Sequence, residues 1–132
     1  MEKLEVKQLS FLKNDLLQKV EAINGINFIG QLIDVPNIDS LKKICFSLKN
    51  ELKDYFIILA SPINNKAHVA IIIDENISSS KDIDAQKIIK DHIAPLIKGG
   101  GGGQKTFATA GGQDSGNLSE VIGTVKQLLQ NK

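Results

Sequence analysis

Residues 98–112 read KGGGGGQKTFATAGG: Lys98, five consecutive glycines at 99–103, Gln104-Lys105-Thr106, the apolar stretch from Phe107 to Ala110, and the pair Gly111-Gly112. Glycine loses more backbone freedom on folding than any other residue, roughly 0.5–1 kcal/mol relative to alanine in regular structure. A compact domain that keeps such a run needs bare backbone there, able to take positive φ and to come close to a second surface. Consecutive N–H groups in a glycine loop form a concave anion site, and a lysine on each side adds positive charge. A flexible linker is the competing reading of the tract. Phe107, Ala108 and Ala110 weigh against it, because a linker would continue polar.

Outward from the run, Thr106 to Ala110 reads as a short strand, and Gly111-Gly112 turns it toward a last helix over Leu118 to Leu129. Val121, Ile122, Val125, Leu128 and Leu129 form that helix's core stripe, and Ser115, Asn117 and Ser119 are its candidate caps. Before the run, a helix over Asp84 to Ile97 turns Ile88, Ile89, Ile93, Leu96 and Ile97 inward, and Pro95 is expected to kink its last turn. Residues 74–82 read as a polar loop. Ala67 to Ile73 and Phe56 to Ala60 read as two strands of a hairpin, joined through Ser61-Pro62 and Asn64-Asn65. The second of these runs is almost continuously apolar, which places it centrally in the sheet. Ile26 to Val35 is a strand closed by Pro36. Asp39 caps a helix that buries Leu41, Ile44, Cys45, Leu48 and Leu52. Residues 2–24 read as one amphipathic helix on Leu9, Leu12, Leu16, Val20 and Ile23, stopped by Asn24-Gly25.

These elements give an α/β (α+β) fold: a small mixed sheet of about four strands packed with helices, in the order β-α-β-β-α-β-α. An N-terminal amphipathic helix over 1–25 precedes the globular domain at 26–132.

The glycine cluster, the few residues after it, the Ala-Gly-Gly at 110–112 and the closing helix resemble the C-terminal domain of bacterial alanyl-tRNA synthetase, a domain of the DHHA1 class. The likeness covers about residues 26–132 and is sharpest from Gly99 to Gly112. It implies a domain that grips the body of alanine-specific tRNA and assists aminoacylation and editing in protein biosynthesis. The parent chain would be an alanine–tRNA ligase, with its ATP, magnesium and zinc sites in upstream domains and no cofactor in this part. Residues 1–25 would be the end of the helical arm. In the phosphoesterase branch of the class a histidine follows the glycines and helps to hold a nucleotide phosphate. Gln104 stands at that position here and favours the synthetase branch.

Carried onto this sequence, the RNA-binding set is Lys98, Gly99, Gly100, Gly101, Gly102, Gly103, Gln104, Lys105, Thr106, Gly111, Gly112 and Gln113. Two other readings stay open beside it: an oligomerisation module that joins two copies through the N-terminal stripe or a sheet edge, and a nucleotide-binding domain of a DHH-type phosphoesterase.

Composition bounds these readings. The net charge is +1, so any nucleic-acid surface is local. All sixteen basic residues are lysines. Without the bidentate fork of arginine, phosphate contact rather than base reading is the expected mode. Cys45 is the single cysteine, which excludes an internal disulfide and a cysteine-rich zinc site. The first residues, MEKLEVKQLS, lack the apolar core of a signal peptide, and no apolar run reaches membrane-spanning length. The expectation is a soluble, cytoplasmic chain with no membrane partner.

No catalytic residues stand out. There is no nucleophile motif and no GK[ST] ending to the glycine run, as a phosphate-binding P-loop would need. His68 and His92 share no metal-ligand spacing, so no metal site is expected.

Overall fold

Phe56 to Ala60 is buried throughout, with alternate residues facing two separate cores, as a strand covered on both sides requires. It forms the middle of a strand at Tyr55–Ile63 (β3) in a computed structural model that describes residues 15–130 except 34, 36, 64 and 81, and not the side chain of residue 115. The other strands are Glu21–Ile23 (β1), Ile26–Leu32 (β2), Lys66–Ile73 (β4), Gly99–Gly103 (β5) and Phe107–Gly112 (β6). They form one sheet in the order β1-β2-β3-β4-β6-β5. Only β2 and β3 run parallel, with Phe28 beside Phe56. A parallel pair needs a crossover, and the helix Ile38–Lys49 (α1) supplies it.

The fold is the expected mixed α+β class, with six strands among the described residues rather than about four. Both additional strands fall where the sequence points elsewhere. Glu21–Ile23, expected at the end of a helix, pairs antiparallel with Ile26–Phe28. Asn24 and Gly25, expected as a helix stop, are the hairpin turn, with φ of 50° and 82°. Positive φ at both central residues is the type I′ geometry that Asn-Gly favours, because its twist matches that of the strands. Residues 15–17 are helical; the rest of the expected N-terminal helix, up to residue 14, lies outside the described residues. The second additional strand is the glycine run itself.

Smaller differences have local causes. Asn37, not Asp39, caps α1, its Oδ1 accepting from the Ser40 N–H at 2.9 Å. The β3–β4 hairpin is present, but Ser61 and Pro62 belong to β3 and pair with His68 and Ala67. Within the expected polar loop, Glu75–Ser80 is a short helix (α2), started by Asp74, whose Oδ1 accepts from the Asn76 N–H.

Two layers of helices cover the sheet. On the first face α1 lays Leu41, Ile44, Cys45 and Leu48 over Ile29, Ile57, Leu59, Ala70 and Ile72, with Leu16 beside them. Fully burying one such side chain contributes roughly 1.5–3 kcal/mol, so this stripe rather than helix propensity holds α1 down. On the second face, the helix Leu118–Gln130 (α5) and a helical stretch over 85–97 pack on Phe28, Phe56, Val69, Ile71, Ala108 and Ala110. That stretch is α-helical at Ala85–Ile88 (α3), π-helical at Ile89–Ile93 and α-helical again at Ala94–Ile97 (α4). The loosening expected of the last turn falls one turn earlier, over Ile89–Ile93, and Ala94–Ile97 itself is α-helical. Pro95 has no N–H to continue the ladder, and the Ala94 N–H reaches back five residues to the Ile89 carbonyl.

Cys45 is fully buried, and burial pushes its thiol up to about 12. Iodoacetamide at pH 8 is expected to leave it unmodified in the folded chain and to alkylate it after unfolding in urea, read by intact mass. Modification at equal rates in both states refutes the placement. Because the folded thiol titrates above the unfolded one, its burial favours folding fully below about pH 9, and that contribution is lost as pH rises toward 12.

Candidate nucleic-acid interface

The glycine run forms the edge of the sheet because its backbone can lie where no side chain fits. A Cβ on Gly99 would collide with the Gly111 carbonyl, one on Gly101 with the Thr109 carbonyl, and one on Gly103 with the Phe107 carbonyl at 2.5 Å. Each of these three glycines presses its missing side chain into β6. Gly100 would meet nothing within 4 Å, and Gly102 only the Gln86 amide at 3.8 Å. The sequence reading of bare backbone for close approach therefore holds, but the surface approached is the neighbouring strand. Positive φ, the other expectation, occurs within the run at Gly103 alone, at 155°. The left-handed cap of α4 falls on Lys98, whose φ is 55°.

The run is thus a strand rather than a loop, and it is one of the two outermost strands of the sheet. Helical stretch 85–97 backs it on the second face. On the first face α1 lies over β3 and β4, and among the described residues the β6–β5 border is left open. An edge strand offers a row of unpaired N–H and C=O groups. Most edges carry charge or bulk to block them; this one has neither.

The open border forms a groove of about 290 Å³. Gly100, Gly101 and Gly102 make one wall, Thr109 and Gly111 the floor, and His68 and Ile38 the opposite side. His68 stands directly opposite Gly111 across β4 and β6, its Nδ1 and Cε1 each 3.7 Å from where a Gly111 Cβ would be. The ring lies beside that glycine at a distance that would be ordinary van der Waals contact for a side chain there. His68 was not among the expected site residues. Strand alternation could have put it on the right face, since His68, Ala70 and Ile72 share one side of β4, opposite Val69, Ile71 and Ile73.

The remaining expected residues separate into two ends. Lys98 precedes β5 and Lys105 follows it beyond Gln104, so they stand at opposite ends of a strand that is itself about 17 Å long at roughly 3.4 Å per residue. Both are exposed, and among the described residues neither forms an ion pair. Backbone bonds fix the tip. The Lys105 carbonyl accepts from the Ala85 N–H at 2.9 Å, the Thr106 carbonyl from Ile73 at 2.7 Å, and the Gln104 N–H donates to Phe107 at 2.7 Å. At the other end Gly112 presses on Ile97, whose carbonyl accepts from the Asp114 N–H at 2.9 Å. Gly112 is therefore committed to packing, while Gln113 beside it is exposed. Gln104 and Thr106 line a different hollow, beyond the hairpin tip. His92 lines a small cavity with Asp84, Leu128 and Leu129 under α5, away from the glycine strand.

Among the described residues, no group of three or more His, Cys, Asp or Glu side chains is placed to hold a metal ion. No described helix is long and apolar enough to cross a membrane.

The DHHA1 domain family matches residues 25–131. The chain is 28% identical over 130 residues to the alanine–tRNA ligase of Cytophaga hutchinsonii, covering 98% of this chain and 15% of that protein. It is 33% identical over 119 residues to the alanine–tRNA ligase of Christiangramia forsetii, covering 90% of this chain and 13% of that protein. It therefore spans only 13–15% of these relatives' length. Among solved structures, the C-Ala domain from Aquifex aeolicus alanyl-tRNA synthetase superposes with a TM-score of 0.74 at 22% identity, over 84% of this chain and 97% of that one. A DHH-domain structure described as a member of a family of ribosomal proteins gives 0.60 at 19% identity, over 94% and 31%. At these identities the two structures establish the fold.

Proposed function

Because the chain belongs to the DHHA1 domain family, we propose that it is the C-terminal, tRNA-binding part of an alanine–tRNA ligase. In this reading residues 1–25 lead in from the upstream domains and 26–132 form the globular domain. It works in the cytoplasm, and the catalytic and editing centres, with ATP, magnesium and zinc, belong to the upstream domains. The observation that carries the proposal is a glycine edge left open among the described residues, with an exposed lysine at each end that pairs with none of them, in a chain that resembles these ligases along nearly its whole length.

The physics is that of a shape-reading surface. Bare glycine lets a ribose–phosphate backbone come close to the strand, where outward N–H groups donate to phosphate oxygens. Lys98 and Lys105 neutralise two phosphates and release their counterions. Thr109 offers hydrogen bonds from the groove floor and His68 from its far side. Folded RNA is selected by the path of its backbone rather than by base edges, in keeping with a chain that has no arginine.

A filter-binding salt series with an alanine tRNA transcript tests this. Binding is expected to weaken linearly in log salt, with a slope of roughly −2 to −3 for two or three phosphate contacts. A DNA duplex of matched length is expected to bind more weakly. Equal affinity for the two, or no salt dependence, overturns the proposal. Sedimentation of the same sample separates it from the dimer reading: a monomer that binds tRNA leaves self-association without a part.

A further inference from the structure

Beyond the tip of the glycine hairpin the first face of the sheet drops into a hollow of about 590 Å³. Its lining is unlike that of the groove. Phe46 from α1 and Phe107 from β6 form a tilted pair with ring centroids 4.9 Å apart, and Tyr55 stands across from them. Phe46 is 40% exposed, where the apolar stripe of α1 calls for burial only at Leu41, Ile44, Cys45 and Leu48. The Lys49 ammonium rests 5.4 Å above the Phe46 centroid, so this ring already attracts a cation. Asp74 and Glu75 close the opposite rim. Both oxygens of Asp74 accept backbone N–H groups, from Asp54 at 2.8 Å and Asn76 at 3.1 Å, which fixes that carboxylate in place. Burial raises the Tyr55 phenol, and the negative charges of Asp74 and Glu75 raise it further.

Aromatic faces beside carboxylates attract a cation and repel phosphate, which sets this hollow apart from the glycine edge. We infer that it is a socket for an arginine side chain of another protein segment, its guanidinium stacked against the Phe46–Phe107 pair and hydrogen-bonded to Glu75. Arginine suits the site better than lysine. The planar guanidinium stacks on a ring and offers a fork of donors to a carboxylate at once, whereas an ammonium is a compact, strongly hydrated point charge. The sequence contains no arginine, so the occupant comes from outside it and a second copy of the chain cannot supply one. The donor's identity rests on the proposed function: it is the rest of the ligase, most of whose length lies beyond the part matched here. The socket's chemistry does not depend on RNA binding.

Amide NMR of the ¹⁵N-labelled chain, titrated with N-acetyl-arginine amide, tests the socket. Saturable millimolar binding is expected, with shifts at Glu75, Gln104 and Phe107. N-acetyl-glutamine amide and cytidine monophosphate should produce none there. Glu75→Gln and Phe46→Ala, both at exposed side chains, should each weaken the arginine amide about fivefold. Lys49→Ala should strengthen it, because the resident ammonium no longer competes for the ring. Loss of binding in Lys49→Ala, preference for the nucleotide, or equal response to the arginine and glutamine amides overturns the inference. Glu75→Gln should not weaken tRNA binding, because it removes a negative charge near Lys105, whose neighbours Gln104 and Thr106 line the same hollow. Failure of tRNA binding in the unsubstituted chain would defeat the RNA reading and leave the socket standing.

Discussion

Gly101→Ala is expected to push the glycine strand off the sheet, while Gly100→Ala, one residue away, leaves it in place. The new methyl at 101 would overlap the Thr109 carbonyl and sit 2.5 Å from Ala110 Cα and 2.9 Å from its Cβ. β6 cannot yield. It is paired with β4 on its other side, and Ala108 and Ala110 are buried against the second-face helices. Relief must come from β5, at a cost of about 3 kcal/mol, the upper end of what overpacking exacts. For a domain of this size that corresponds to a melting temperature lower by roughly 10 °C. A methyl at Gly100 meets no atom within 4 Å and should change stability by no more than about 0.5 kcal/mol. Thermal melts of the two variants, with hydrogen exchange at residues 108–111, make the comparison. Equal melting temperatures and equal protection would show that the strand is not paired in this register.

The second large effect concerns binding. In the Lys98→Ala, Lys105→Ala double variant, tRNA affinity near physiological salt is expected to fall roughly ten- to thirtyfold, and the log–log salt slope to flatten by about 1.5 to 2. Each lysine is exposed and without an ion-pair partner among the described residues, so neither substitution should disturb the fold. The two ends of β5 are too far apart to share one phosphate. The single variants should therefore each take about half of the slope change and add in free energy. Filter binding at four or more salt concentrations reads both quantities. A slope unchanged in the double variant would remove the glycine edge from the RNA face. A non-additive pair would mean that the two ammonium groups meet at one site.

Much of the body was legible in the sequence because burial leaves a period. Ile57 and Leu59 against Phe56 and Ile58, and Val69, Ile71 and Ile73 against Ala70 and Ile72, read directly as strands facing two cores. The stripes of α1 and α5 were equally plain, since each is a local rule of spacing. The misses share a cause. Glu21, Ala22 and Ile23 suit a helix and continue the spacing of Leu16 and Val20, but pairing with Ile26–Phe28 overrides that preference. The glycine strand was illegible because a strand is marked by alternating or continuously apolar side chains, and glycine has no side chain to show either. The short helix at Glu75–Ser80 depends on the carboxylate of Asp74, whose second oxygen is held by Asp54 twenty residues earlier in the chain. Of the candidate site, the exposed lysines and the bare backbone could be foreseen. That Gly112 is spent on Ile97, and that His68 lies beside Gly111 in particular, follow from strand register and could not be.

Tyr55 is the single tyrosine of a chain without tryptophan, and it stands at the wall of the aromatic and acidic hollow. Excited near 280 nm, the molecule has in effect one lamp, mounted where an incoming guanidinium would arrive and remote from the groove beside His68. Emission that dims or brightens on mixing with a peptide that itself lacks tyrosine and tryptophan would report a change at that single place, with no dye attached.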